Sequence, residues 1–266
     1  HHHSIDEYKA ILCAHRRLYM FKGNSNRYQS PLTARPRLKY HQPLMHLDLH
    51  THSVSSDDSR ATVEQYIKWI NLLRKNSYQI DGFVLTEHRQ YNLDLNYQRL
   101  SDENDILILK GAELDTDSGH FLVYGITERL SKEIDFSDVN INAAVLIEIC
   151  EENEAVAIPA HPGRHRIGFA NFIDSDYSQF KTVKVVEQLN GSDRASENER
   201  TSDLIRKYNY LGIGGSDSHM VSTIGTCMTH FENRIKNEKD LVRELKGSGF
   251  KAIHLREAIS TKSSTL

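Results

Sequence analysis

The stretch His50-Thr51-His52-Ser53 follows directly on the apolar run Met45-His46-Leu47-Asp48-Leu49. Side chains alternate faces along a strand, so two imidazoles one residue apart at a strand end can address one site. Neutral imidazole binds zinc, iron and manganese, which makes the pair a first half-site for a metal ion. Later apolar runs end on further candidate ligands. The run 82–86 leads into Glu87-His88, and 106–109 leads through Lys110-Gly111-Ala112 to Glu113. The run 155–160 delivers His161-Pro162, and 211–214 delivers Gly215-Ser216-Asp217-Ser218-His219. Asp57 lies shortly after His52, in Ser55-Ser56-Asp57, while Gly119-His120 precedes its apolar run at 121–125. Each residue has an ordinary explanation on its own. A strand-end histidine can simply be hydrogen-bonded, Asp57 can cap the helix that starts near Ala61, and Glu113 can belong to an acidic loop with Asp115 and Asp117. Six histidines and three carboxylates at such boundaries are better explained together, by one metal cluster.

The elements that must position these residues alternate along the chain. Strand-like runs at 45–49, 82–86, 106–109, 121–124, 155–160, 183–189 and 211–214 are separated by segments of helical periodicity. Those segments fall at 62–75, 143–153 and 197–209, with a late one at 238–246. Alternation of this kind predicts an α/β fold of parallel strands and crossover helices. A barrel is favoured over an open sheet because the polar residues gather at strand C-termini, where catalytic barrels carry them.

The chain has 266 residues, enough for one large α/β domain. Residues 1–3 read as the remnant of a purification tag, 4–43 as a basic N-terminal extension, and 44–266 as the barrel domain with a small C-terminal extension. In the extension, Tyr8, Ile11, Leu12, His15, Leu18 and Tyr19 recur at helical spacing, and 23–43 is loop-like. Segment 5–44 carries eight Lys/Arg against Asp6 and Glu7, although the formal net charge of the whole chain is only −3. One reading is an arm that meets a nucleic-acid backbone through Arg16, Arg17, Lys22, Arg27, Arg35 and Arg37. The preferred reading is an accessory helix on the acidic barrel, because stacking aromatics between the basic residues are lacking. Cys13, Cys150 and Cys227 have no paired spacing, which excludes a disulfide scaffold and predicts a reducing, cytoplasmic setting. No apolar run reaches membrane-spanning length.

Taken in order, Asp48-Leu49-His50-Thr51-His52-Ser53, Thr86-Glu87-His88, Gly111-Ala112-Glu113, Gly119-His120, Ala160-His161-Pro162 and Gly215-Ser216-Asp217-Ser218-His219 resemble the motifs of the PHP (polymerase and histidinol phosphatase) metallohydrolases. The resemblance spans roughly 44–259. It departs at Glu87, where the family more often has Asp in a Thr-Asp-His motif. The tail Ile224-Gly225-Thr226 and Thr229-His230-Phe231, with the helix after it, is similar to the C-terminal extension of stand-alone members. The resemblance implies a distorted (β/α)7 barrel and a site for two or three divalent ions, Zn, Mn or Fe. His50, His52, Glu113 and Asp217 would hold the first ion. Glu113 would bridge to a second, completed by His120 and His161, and Asp57, His88 and His219 would hold the third.

The activity implied is that of a metal-dependent phosphoesterase acting on a small phosphomonoester or nucleotide through a metal-bound hydroxide, with Glu113, Asp217 and His161 nearest the chemistry. A PHP-type nuclease acting on DNA or RNA ends is the alternative, with nucleic acid contacting 5–43. Behind it stand a carboxylic or carbamate ester hydrolase and a non-catalytic metal-binding module. Substrate contacts are expected from Arg164, supported by His165 and Arg166, and from Arg89, Asn190 and Arg194 at the same barrel face. A surface ion pair is an equal reading for each arginine.

Overall fold

The computed structural model describes residues 44–259 apart from 176. The expectations for 4–43, both the helical spacing and the basic arm, lie outside the described residues. The order of elements is β1 (Met45–Thr51), α1 (Val63–Lys75), β2 (Gly82–His88), α2 (Gln98–Asn104), β3 (Leu107–Thr116), β4 (Gly119–Tyr124), α3 (Glu128–Glu133) and α4 (Ala143–Glu152). There follow β5 (Val156–Pro159), β6 (Val185–Asn190), α5 (Ala195–Tyr208), β7 (Leu211–Gly215), β8 (Cys227–Phe231), α6 (Glu238–Leu245) and β9 (Phe250–His254).

The strands form a curled seven-stranded sheet in the order β5-β4-β3-β2-β1-β8-β9 and a two-stranded sheet of β6 and β7. Pairing is parallel for β1–β2, β2–β3 and β6–β7. It is antiparallel for β1–β8, β3–β4, β4–β5 and β8–β9. The parallel expectation therefore holds at the centre of the sheet and fails towards its edges. The reason is local at β3–β4, where only Asp117 and Ser118 link the paired residues Thr116 and Gly119. So short a link returns a strand antiparallel to itself, and Gly119 takes the positive φ of 103° that the turn requires.

The smaller sheet is tied to the larger through β1. The Asp217 amide donates to the His50 carbonyl at 2.7 Å, and the Ser216 amide donates to Asp48 Oδ1 at 2.8 Å. Asp48 also accepts from the Gly225 amide at 2.7 Å. Burial pushes this carboxyl up to about 6, against the amide and hydroxyl bonds that stabilise its charge. Its task is to join strands, and the ligand motif that contains it thereby also fixes the barrel.

Every residue of β1 is buried. Met45, Leu47 and Leu49 pack with Val84, Leu109, Leu122, Ile158, Ile213 and Phe231 in one cluster. On the other face of β2, Phe83 and Leu85 meet Tyr66, Ile67 and Ile70 of α1. Helix α1 starts with a capping box, in which Thr62 Oγ1 accepts from the Gln65 amide and Gln65 Oε1 accepts from the Thr62 amide. Its Tyr66 hydroxyl lies 2.7 Å from the His52 carbonyl and 2.8 Å from that of Ser218, beside two strand ends that carry ligand residues. Tyr66→Phe should therefore lower unfolding free energy by about 1–3 kcal/mol, read from the urea midpoint with circular dichroism unchanged. Among the described residues no helix is long and apolar enough to cross a membrane.

Candidate metal centre

Eight of the nine expected ligands converge at one end of the strands, in three adjoining sets. These are His50, His52, Glu113 and Asp217; then Glu113, His120 and His161; then His52, His88 and His219. Within a set, one donor atom from each residue lies within 4.8 Å of every other. Glu113 is the hub. Its Oε1 is 3.0 Å from His120 Nδ1 and 2.8 Å from His161 Nε2. Its Oε2 is 3.2 Å from His50 Nε2, 3.3 Å from His52 Nε2 and 3.1 Å from His88 Nδ1. Asp217 Oδ1 closes the first set at 3.4 Å from His50 Nε2 and 3.3 Å from His52 Nε2.

The ninth expected ligand is placed differently. Asp58, rather than Asp57, brings its Oδ2 to 3.2 Å from the Nε2 atoms of both His88 and His219. Consecutive turns, closed by the Ser56 amide on the Ser53 carbonyl and the Ser59 amide on the Ser56 carbonyl, carry residue 58 towards the histidines. Glu87 organises the same loop, accepting from the Ser53 amide, from Ser53 Oγ at 2.6 Å and from Ser56 Oγ at 2.5 Å. The departure from the Thr-Asp-His motif thus falls on a loop-bracing carboxylate.

Backbone strain concentrates here. His161 has φ +29° and Asp217 has φ +51°, values that non-glycine residues adopt only when their surroundings hold them. Gly215 is required by close approach, since a Cβ there would lie 2.3 Å from His50 Cβ and 2.8 Å from Glu187 Oε1.

Electrostatics fits a set of ligands waiting for cations. Burial, the largest influence on Glu113, pushes its carboxyl up, but the His50 charge and the bonds from His120, His161 and His50 hold it well below the usual range. Asp217 is likewise low, with burial outweighed mainly by His50 and His52. Burial works against a charge on His50, yet Glu187, Asp217 and Glu113 raise it well above the ordinary histidine value. His52 is raised against burial by Asp217 and Glu113, and His120 by Glu113 and Asp115. His161 is lowered, chiefly by burial, which favours the neutral form that a ligand needs. His161 Nδ1 is buried with no hydrogen-bond partner, and His52 Nε2 faces the Glu113 and Asp217 oxygens at 3.3 Å without a well-aligned hydrogen bond to either. Imidazole nitrogens so placed among anionic carboxylates fit divalent ions, and the mixed N and O donor set fits Zn, Mn or Fe better than Ca.

The expected substrate residues separate on the structure. Arg164 lies at the centre, with Nε 2.7 Å from Asp193 Oδ1 and Nη2 2.6 Å from Asp217 Oδ2 and 3.1 Å from Asn190 Oδ1. Arg89 stands at the edge on Asp115, at 3.0 Å. Asn190 is buried and engaged with Arg164, Glu187 and the Ser192 amide, so it braces the site from behind. Arg194 is the exposed N-cap of α5, its amide donating to Glu197. His165 Nδ1 is 3.3 Å from Arg200, which also donates to the Gly163 carbonyl. The residues that pattern reading overlooks are Asp58, Asp193 and Glu187. Glu187 alone carried a signal, as a charge inside the apolar run 183–189.

Comparison with known proteins adds the following. Residues 195–248 match the PHP-associated family model. No curated protein matches the sequence. Among solved structures, PsfC from Pseudomonas syringae aligns with TM-score 0.60 and 20% identity over 79% of this chain and 91% of that one. A two-domain protein from Bacteroides vulgatus containing a predicted PHP-like metal-dependent phosphoesterase aligns at 0.55 and 17% over 88% and 70%. The lesion-specific endonuclease EndoQ from Pyrococcus furiosus aligns at 0.56 and 15% over 79% and 57%. The architecture is thus a distorted barrel of PHP type with a cluster of metal-ligating side chains at one end. The family-model match is confined to residues 195–248, and the rest of the likeness is one of fold.

Proposed function

We propose that the chain is a metal-dependent phosphoesterase that hydrolyses a small phosphomonoester or nucleotide. The observation that carries this reading is Glu113, one carboxylate whose two oxygens serve two separate ligand sets. Divalent ions held there would supply Lewis-acid stabilisation of phosphoryl charge and a water activated near neutral pH. The chain's own residues set the geometry. Glu113 fixes the separation of the two sets, and Asp217 closes the first against Arg164. His88, His120 and His219 are 17%, 24% and 28% exposed, and mark the edge from which substrate enters.

Arg164 supplies the anion contact. Burial works against its charge, but Asp217 and Asp193 outweigh it and raise the guanidinium further. Its Nη1 has no hydrogen-bond partner among the described residues and is free for a phosphoryl oxygen. A guanidinium held from behind loses little entropy on binding. Arg164→Lys keeps a charge beside Asp193 and Asp217 but loses the fork. KM for a phosphomonoester should rise about 10- to 100-fold with metal content unchanged. An unchanged KM would remove Arg164 from the substrate contact.

The test of the activity is a panel of phosphomonoesters and nucleotides run with Mn²⁺- or Zn²⁺-replete protein, beside a 5′-labelled oligonucleotide. Turnover of none of them would sink the reading. The nuclease alternative draws on the basic segment 5–44 and on the similarity to EndoQ. It requires oligonucleotide cleavage that falls when residues 5–43 are deleted.

A further inference from the structure

We infer that Glu187 is a positioning residue that couples the first two ligand sets, fixing the His50 imidazole in one and the His161 backbone in the other. The inference rests on the metal-centre reading above. It concerns a residue outside all three ligand sets.

Glu187 lies on β6 and is fully buried. A buried carboxylate needs its lone pairs satisfied, and three donors do so. Oε1 accepts from His50 Nδ1 at 3.0 Å. Oε2 accepts from the His161 amide at 2.7 Å and from Asn190 Nδ2 at 3.0 Å. In a regular strand residues 187 and 190 would face opposite sides. The β6–β7 register slips between Glu187 and Leu189, and this irregularity lets both side chains reach the same centre. The missing Cβ of Gly215 leaves the room in which Glu187 and His50 meet.

Two consequences follow from the bonds. A carboxylate on Nδ1 holds His50 in the tautomer whose Nε2 lone pair faces Glu113 and Asp217, the arrangement that orients an imidazole ligand. The 2.7 Å bond to the His161 amide secures a backbone at φ +29°, so the imidazole of the second set keeps its direction. One side chain therefore supports a ligand of each set. Glu113 is shared as a donor, whereas Glu187 is shared from behind.

The test is Mn²⁺ and Zn²⁺ titration of the full chain by calorimetry, comparing wild type with Glu187→Gln. Gln has the same shape, but its amide presents a donor to either His50 Nδ1–H or the His161 amide. The amide oxygen can keep only one of the two bonds, so binding should weaken about 10- to 100-fold at the set that loses its bond, with circular dichroism of the chelated protein unchanged. Wild-type affinity at both sets in the variant overturns the inference. Absence of binding by the wild type would overturn the metal-centre reading instead. Imidazole ¹⁵N chemical shifts of wild-type protein give a measurement independent of any variant. The Zn²⁺-loaded protein should show His50 as Nδ1–H, and an Nε2–H signal for His50 would also overturn the inference.

Discussion

Glu113→Gln is expected to abolish turnover and to weaken two metal sites with a single substitution. Five imidazoles lie within 3.3 Å of the two Glu113 oxygens, so a neutral amide there removes one negative charge from both sets. The amide also turns one oxygen into a donor. That donor must face either His120 and His161 or His50, His52 and His88, and it cannot coordinate an ion. Loss of a group behind the ligands costs about 10- to 100-fold in metal affinity, and loss of the bridging ligand itself should exceed that for each ion. Metal content of the purified variant and single-turnover hydrolysis read the two effects separately. A variant that binds two ions and turns over like wild type would show that the sets are independent. The fold should survive, because Glu113 is anchored by the β2–β3 and β3–β4 ladders through its main chain.

The placement of the candidate site's residues was legible from sequence where they sit on regular structure, and not where they sit on a turn. His50, His52, Glu113 and His161 lie on or just beyond strands whose apolar runs are unmistakable, and alternation alone aims them. Asp57 and Asp58 are adjacent in a loop of two consecutive turns, and which of them faces inward depends on backbone angles that no periodicity encodes. Strand direction was hidden for a similar reason. Apolar runs mark β3, β4 and β5, but the antiparallel pairing of β3 with β4 is decided by the short link at 117–118 and by Gly119. Strands β8 and β9 escaped because each is only five residues long and His230 and Lys251 interrupt their apolar runs. Glu187 and Asp193 act from behind the ligands, through His50 and Arg164, partners remote in sequence that only the folded chain brings to them.

Adding Mn²⁺ or Zn²⁺ to chelated protein should raise the melting temperature, and the rise should itself grow as pH increases. At a free-ion concentration about 1,000 times Kd the stabilisation is about 4 kcal/mol, or on the order of 10 °C for a domain of this size. The pH dependence comes from protons that the ions must displace. Carboxylates hold His50 well above the ordinary histidine value, against burial, and raise His52 and His120 in the same way. A raised folded pKa stabilises the metal-free protein below the unfolded value of about 6.5, and that stabilisation is lost as pH rises through the folded values. Glu113 and Asp217 are depressed, so their contribution is present above the unfolded carboxylate value of about 4 and lost on acidification. For these ligands the metal-free protein is therefore best served between about 4 and 6.5. Ions bound to the same nitrogens replace the protons, and affinity gains about tenfold per pH unit for each proton displaced. His46 and His230 are lowered mainly by burial and lie outside the ligand sets, so they act equally on loaded and chelated protein and cancel in the difference. Melting curves of the two forms at pH 6, 7 and 8 test this directly. A metal-induced shift that is the same at all three would mean that the histidines are already neutral before the ions arrive.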